Sequence, residues 1–440
     1  MAGILGIAIT VVAIIVELAA TRYNHRITNM FIKEPINILA LSFFVVTAFV
    51  SFWVPSSNLP ALHIFAMIMV SISLVMLLPY FFFVLRFISP LNVIRRISDD
   101  ASRAIDRNRH RVDQDARRAV MESIDALQDV AGSALKQGDR DIALACVDAL
   151  ADLLLDYQEI RADLPTGWFA VDDTVMHDPD FVSLEHSTLQ EIDDEKLWLE
   201  VKIFRQYHAL VELSLPHVRD VANLIGINTR RIVNGLDDPG NPLVKLGIRF
   251  FNSFLRTGIN SKDQRTTYYL LNQYRLIAEH LISVRHYDQA KEIGRHLGTY
   301  GMLAYAREQH FILEVVAYDL VQLIEASYET EPTLVDFYLD CLLQLDQEIR
   351  FENQEESLIN VRREQLRAAT FFLAKGDLPR ATLVAADLKT ERPERLQRLK
   401  SALENEGREQ YWEFTDRGTV NFSYFEPERR QHLSALYALL

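Results

Sequence analysis

The densest collection of groups able to do chemistry lies between residues 172 and 195. Asp172-Asp173 is followed by His177-Asp178-Pro179-Asp180, and then by Glu185, His186, Glu191, Asp193, Asp194 and Glu195. Converging carboxylates suit hard cations, and imidazole suits zinc or iron. The spacing fits neither a Ca²⁺ loop nor a His-Glu-x-x-His helix. Acids at the entrance to a helix are favoured by its dipole, so the window reads as a solvated loop leading into a helix. No metal and no cofactor is predicted. The other signatures of catalysis are missing: no Gly-rich phosphate loop, no Gly-x-Ser-x-Gly elbow and no Cys-x-x-Cys occurs. Cys146 and Cys341 stand far apart without partner spacing, as suits free thiols in a reducing compartment. No catalytic residue is assigned, and the chain is expected not to be an enzyme.

Two other sets of charged residues remain as candidates. Glu17 interrupts an apolar run, where an ionisable group is by default a candidate functional carboxylate. It also lies about a turn and a half from Arg22, close enough to reach lipid headgroups or pair locally. Arg95, Arg96, Arg103 and Arg107 fall on a helix opened by Ser89-Pro90, a capping hydroxyl followed by proline at the first helical position. Two readings of these arginines are open: contact with anionic headgroups at roughly 1 kcal/mol each, or a solvated helix laced with i,i+4 ion pairs.

Three apolar runs must position these groups. Residues 3–20, 36–54 and 62–85 are each long enough, at 1.5 Å per residue, to cross the roughly 30 Å hydrocarbon layer. Three successive segments apolar on every face read as transmembrane helices rather than buried core helices. Pro79 in the third is expected to kink it. Arg22, Arg26 and Lys33 lie between the first two runs, Pro55 to Pro60 between the next two carries no charge, and Arg86, Arg95 and Arg96 follow the third. Basic residues stay inside, so the expected topology puts the N-terminus outside and the C-terminal part in the cytoplasm. A cleaved signal peptide is disfavoured because the leading segment has no basic residue.

The net charge of −14 is unevenly held. Residues 1–90 carry four basic side chains (Arg22, Arg26, Lys33, Arg86) against two acidic ones (Glu17, Glu34), a balance of +2, so residues 91–440 carry −16. Such an acidic domain is ill suited to neutralising phosphates, so nucleic acid is not an expected partner.

Beyond residue 90 the pattern is helix after helix. An apolar stripe over Met121–Gln137 stops at Gly138-Asp139, and a second helix runs from Ile142 to about Tyr157, forming an antiparallel hairpin. The turn Leu135 to Ala143 is echoed at Ile282 to Ala290 and at Leu373 to Ala381. In each, an apolar residue closes one helix and an alanine begins the close contact of the next, the logic of tetratricopeptide-like helix pairs. The spacing is irregular, so a looser repeat-like array is expected. Tyr268, Tyr269, Tyr274 and Tyr287 read as core, and the breakers of 237–242 as a subdomain hinge. A short hairpin is expected around Asp416-Arg417-Gly418 within Trp412–Tyr424, and the apolar end, Leu436 to Leu440, must dock on something.

The window Ser123 to Leu154, with the acidic stretch and the Trp198 helix after it, resembles a segment of bacterial predicted inner-membrane proteins grouped by a domain of unknown function. The resemblance covers roughly a third of the chain, and this chain lacks one of that family's membrane helices. It implies a multi-helix membrane part ahead of a cytoplasmic helical region, with no activity and no site residues to carry over.

The expectation is therefore an all-α protein: a transmembrane domain over 1–90, a juxtamembrane and first helical subdomain over 91–238, and a second repeat-like subdomain over 239–440. Its expected role is non-enzymatic docking or scaffolding in a homo-oligomeric or larger complex of the bacterial inner membrane, with membrane lipids and other protein subunits as partners. The alternative is a homo-oligomeric channel or transport component gated by the cytoplasmic domain. Against it stands the scarcity of polar groups in the spans beyond Glu17 and His63.

Overall fold

The structure, a computed structural model, describes residues 10, 32, 34–54, 59–236, 238, 240–346, 355–389, 391–405, 421, 422 and 424–440. The first expected span at 3–20, with Glu17, lies outside the described residues, as do Arg22, Arg26, Lys33 and residues 412–420 of the expected hairpin. Among the described residues all regular structure is helical.

Two helices match the other two apolar runs: α1 (Pro35–Trp53) and α2 (Pro60–Ile88). Each begins with proline, whose missing N–H is no loss in the first turn, and α2 continues through Pro79. Both are long and apolar enough to cross a membrane, and only 22% and 17% of their most apolar windows are buried, unlike the core helix of a soluble protein. The two pack on each other through Ala40, Phe44, Tyr80, Val84 and Phe87. The Phe44 and Tyr80 rings meet edge-on at 5.5 Å, and Tyr80 donates to Asn37 Oδ1 at 2.6 Å. Their outer faces expose large apolar side chains, among them Phe52 at 77% and Val75 at 73%.

The chain divides into two compact units, 1–213 and 214–440. In the first, Ser89 breaks α2 from α3 (Pro90–Arg107), and α3 packs with α4 (Gln114–Gln137) and α5 (Arg140–Ile160) as a three-helix group. The apolar face of α3, Val93, Ile94, Ile97, Ala101, Ala104 and Ile105, is buried. Two 3₁₀ turns and the one-turn helix Asp173–Met176 follow, then α6 (His186–Glu195) and α7 (Trp198–Ser214).

The second unit is an array of helix pairs: α8 (Asp220–Asn234), α9 (Pro242–Asn260), α10 (Gln264–Ser283), α11 (Tyr287–Ala306), α12 (His310–Ser327), α13 (Pro332–Leu343), α14 (Glu355–Ala374) and α15 (Leu378–Leu388). From α8 to α14 each helix packs on its neighbour in the chain, and next-but-one contacts gather α8, α10, α12 and α14 into one layer and α9, α11 and α13 into another. This is repeat-like stacking, in which each pair closes the apolar face of the last. The breakers at 238 and 240–242 are the turn from α8 to α9, where Asn241 Oδ1 caps Leu243 N–H at 3.0 Å, and they lie inside the second unit. Of the four tyrosines expected in the core, Tyr274 is fully buried, stacked on Phe251 at 5.0 Å, and Tyr268 is buried, whereas Tyr269 and Tyr287 are half-buried. After α16 (Pro393–Asn405) and the one-turn helix Pro427–Arg430, the terminal helix α17 (Leu433–Leu439) docks on α14 and α15 through Leu433 and Leu436. Residues 421, 422 and 424 form no strand.

One turn joins most of the pairs. At Gly138 the backbone is left-handed (φ 72°), its N–H bonds Leu135 O at 3.0 Å and Asp139 N–H bonds Ala134 O at 2.8 Å. This is the Schellman pattern, which satisfies carbonyls left over at a helix end. It recurs at Gly376-Asp377, where the bonds go to Leu373 O and Phe372 O. It also recurs at Lys262-Asp263, Arg285-His286 and Glu308-Gln309. Asp139, Asp263 and Asp377 then cap the following helix with their side chains. Three of these left-handed positions hold non-glycine residues at φ 55–65°, a conformation costing roughly 1 kcal/mol for an L side chain. Lys262→Gly is expected to raise stability by about 1 kcal/mol and Gly376→Val to lower it by at least that much. Thermal unfolding of both variants checks this, and equal midpoints would remove the turn from its assigned role.

Candidate functional site

The positions singled out in the sequence separate in space. On α3, Arg95, Arg103 and Arg107 are exposed. Arg103 pairs with Asp100 one turn away, and Arg109 pairs with Asp106 at 3.1 Å. Exposed pairs of this kind contribute little. Arg96 differs: its guanidinium meets Glu34 at 3.1 Å and lies 4.0 Å from the centroid of the Phe87 ring. It thus ties the start of α3 to the residue before α1 and to the end of α2.

The acidic window leads into α6, and Asp173, His177, Glu185, His186, Asp193 and Asp194 are exposed as a solvated stretch requires, but Val175 and Phe181 within it are fully buried and Asp178 is 8% exposed. The cause lies on α7, a helix buried on nearly every side. Lys202, wholly enclosed, donates to both oxygens of Asp178 at 3.0 and 2.9 Å and to Asp180 Oδ2 at 2.9 Å, and it meets Asp125 of α4 at 2.7 Å. Gln206, one turn on, donates to Asp180 and, at 3.3 Å, to Asp125. A buried ammonium is costly unless paired and hydrogen-bonded, and three carboxylates from two segments supply the pairing.

Two more buried charges lie nearby, Arg117 on α4 and Glu200 on α7. Arg117, also enclosed, donates to Asp172 Oδ2 at 3.0 Å and to the Ala170 carbonyl, and lies 4.8 Å from the Trp198 ring. Trp198 Nε1 donates to Trp168 O at 2.8 Å, and the two indoles stand 5.2 Å apart. Glu200, fully buried, accepts from Gln158 at 2.9 Å and Arg161 at 3.2 Å.

The electrostatics describe a clamp rather than a reactive centre. Burial works against the charge on Lys202, but Asp125 and Asp180 outweigh it and hold the amine above its ordinary pKa. It stays an ammonium without a free lone pair, so it is neither base nor nucleophile. Burial raises the Glu200 carboxyl, against the pull of Arg161. Burial pushes the Cys146 thiol up, and burial with Asp340 pushes Cys341 up to about 11, so neither is a thiolate at neutral pH. Beside the clamp an open cleft of about 390 Å³ is lined by Arg118, Glu122, Asp125, Thr174, His177 and Asp178. Among the described residues no group of three or more His, Cys, Asp or Glu is placed to hold a metal.

The sequence pattern singles out Asp178 and Asp180 but not their partner. The signal is present in Trp198-Leu-Glu-Val-Lys-Ile-Phe204, where charges sit inside a run that leaves no polar face. A helix buried all round must pair such charges.

No family model matches the chain, and no curated protein matches it. Among solved structures it is similar to one titled "Circular tandem repeat protein with novel repeat topology and enhanced subunit contact surfaces", at 13% identity and a TM-score of 0.41, covering 83% of this chain and 86% of that one.

Lys202→Met leaves Asp178 buried without its cation and is expected to cost about 3 kcal/mol, with faster proteolysis within 164–185. Because the folded-state pKa of Lys202 is raised, the stability it provides is complete below its unfolded pKa of about 10.4. It falls as pH rises from that value through the raised folded one and is gone above it. The gap in unfolding midpoint between wild type and variant should therefore be constant from pH 7 to 9 and narrow above about pH 10.5. Equal midpoints at pH 7 would show that the clamp does not hold the window.

Proposed function

We propose that this chain is an integral protein of the bacterial inner membrane that docks other protein subunits through its helical part, without catalysis of its own. The observation that carries this reading is the pairing of an apolar hairpin that buries little of itself with a large helical body attached directly through Ser89. At 1.5 Å per residue the 19 residues of α1 reach about 28 Å and the 29 of α2 about 43 Å, enough to traverse the hydrocarbon layer. The outward side chains, Leu39, Val46, Phe49, Phe52 and Val75, suit lipid rather than water. With positive charge kept inside, Arg86 and Arg95 support a cytoplasmic helical body, where the exposed Arg95 and Arg107 would face headgroups. Arrays of stacked helix pairs offer extended surfaces for partner segments. Assembly with itself or within a larger complex follows from that surface.

Purification of the tagged chain from its native membranes after mild cross-linking tests the reading. The expected result is a stoichiometric protein partner or a homo-oligomer. Recovery as a monomer with a bound metal or nucleotide would contradict it in favour of an enzyme.

A further inference from the structure

The second unit already holds a short non-helical stretch of chain on one of its layers, turned at Phe422, where Tyr424 N–H donates to Asn421 O at 3.0 Å. Phe422 places its ring in a box formed by Tyr318 (4.9 Å, edge-on), Phe311 (6.1 Å) and Tyr268 (6.4 Å), which come from α12 and α10. Arg367 of α14 completes the site. Its Nη2 donates to the carbonyls of Phe422 at 3.0 Å and Tyr424 at 2.6 Å, and its Nη1 to Glu426 Oε1 at 3.3 Å. Glu364, fully buried behind it, meets its Nε at 3.1 Å and presets the fork. Phe425, fully buried, lies 5.7 Å from the same guanidinium. Three successive helices of one layer, α10, α12 and α14, thus contribute to a single stretch of chain.

The chemistry of this contact is that of peptide recognition rather than of secondary structure. The fork reads two main-chain carbonyls and a carboxylate. The aromatic box reads one ring. Just downstream, Arg429 ties the segment to Glu325 of α12 at 2.7 Å.

We propose that the face of α10, α12 and α14 is a docking groove for a turn-forming peptide of the pattern Phe-x-x-Phe followed by a carboxylate, and that residues 421, 422 and 424–426 occupy it in cis as a displaceable plug. This rests on the docking role proposed above and names its site and its ligand class. A tethered plug competes at an effective concentration in the millimolar range, so the groove of the intact chain is largely closed to a free ligand. The terminal helix α17, held by Leu433 and Leu436, keeps the displaced segment nearby.

The test uses the full chain in detergent and a fluorescent peptide of residues 420–430, read by anisotropy. Phe422→Ala with Phe425→Ala empties the groove without altering its walls, and Arg429→Gln loosens the plug by a separate route. Both variants are expected to bind the peptide about tenfold or more tightly than wild type does. A peptide lacking the ring that matches Phe422 should fail to bind. If neither variant binds while their circular dichroism stays helical, the segment is a fixed cap and the proposal falls. Partners recovered equally from native membranes by wild type and double variant would also exclude this groove while leaving the docking role intact. Peptide binding without any native partner would retain the groove and remove the role.

Discussion

The left-handed turn between antiparallel helices is the constraint on which the body of this protein depends. A helix end leaves carbonyls without partners, and an array of short helices multiplies that cost. Here one solution recurs from Gly138 to Gly376. A residue at positive φ brings two N–H groups back onto the finished helix, and the next residue opens the following one, with an aspartate cap in three cases. Because the turn is so short, the second helix must return along the first. At Gly294 and Gly301 the packing is close enough that Tyr338 and Val316 fill the space a side chain would take. Layered stacking follows from that return.

Buried charge does a second job. α7 and α14 carry Lys202, Glu200, Arg362, Glu364 and Arg367 at positions where water is excluded. Such charges are tolerated only with partners in good geometry, and the partners come from irregular stretches: Asp178 and Asp180 for Lys202, the carbonyls of Phe422 and Tyr424 for Arg367. Removing either partner leaves a desolvated ion, so these stretches are located by charge as much as by apolar burial. Non-regular segments with many carboxylates thereby become ordered parts of a helical protein.

Legibility in the sequence tracks how local each cause is. Gly138-Asp139 and Gly376-Asp377 announce their turns because glycine is the residue that adopts positive φ freely. The turns at Lys262 and Glu308 carry no such mark, since their conformation is imposed by the helices they join. The apolar runs that became α1 and α2 are legible from length alone, and the docking of Leu436 from its exposure in any isolated helix. The acidic window misleads at Asp178 and Asp180 because their cation lies more than twenty residues away on another element, and composition alone describes carboxylates without partners as solvated. Phe422 misleads for the same reason: an alternating pattern suggests a strand, whereas its ring is positioned by Tyr268, Phe311 and Tyr318 from far upstream. The breakers at 238 and 240–242 resemble a domain boundary because a turn inside a repeat array uses the same residues.

The proposed arrangement is a lipid-held hairpin joined to a charge-braced helical body. Membranes containing the full chain, stripped with alkaline carbonate, test that claim most directly. Retention of the protein in the pellet, with release only by detergent, is the predicted result. Quantitative release into the carbonate supernatant would show that α1 and α2 are not embedded, and would contradict the account.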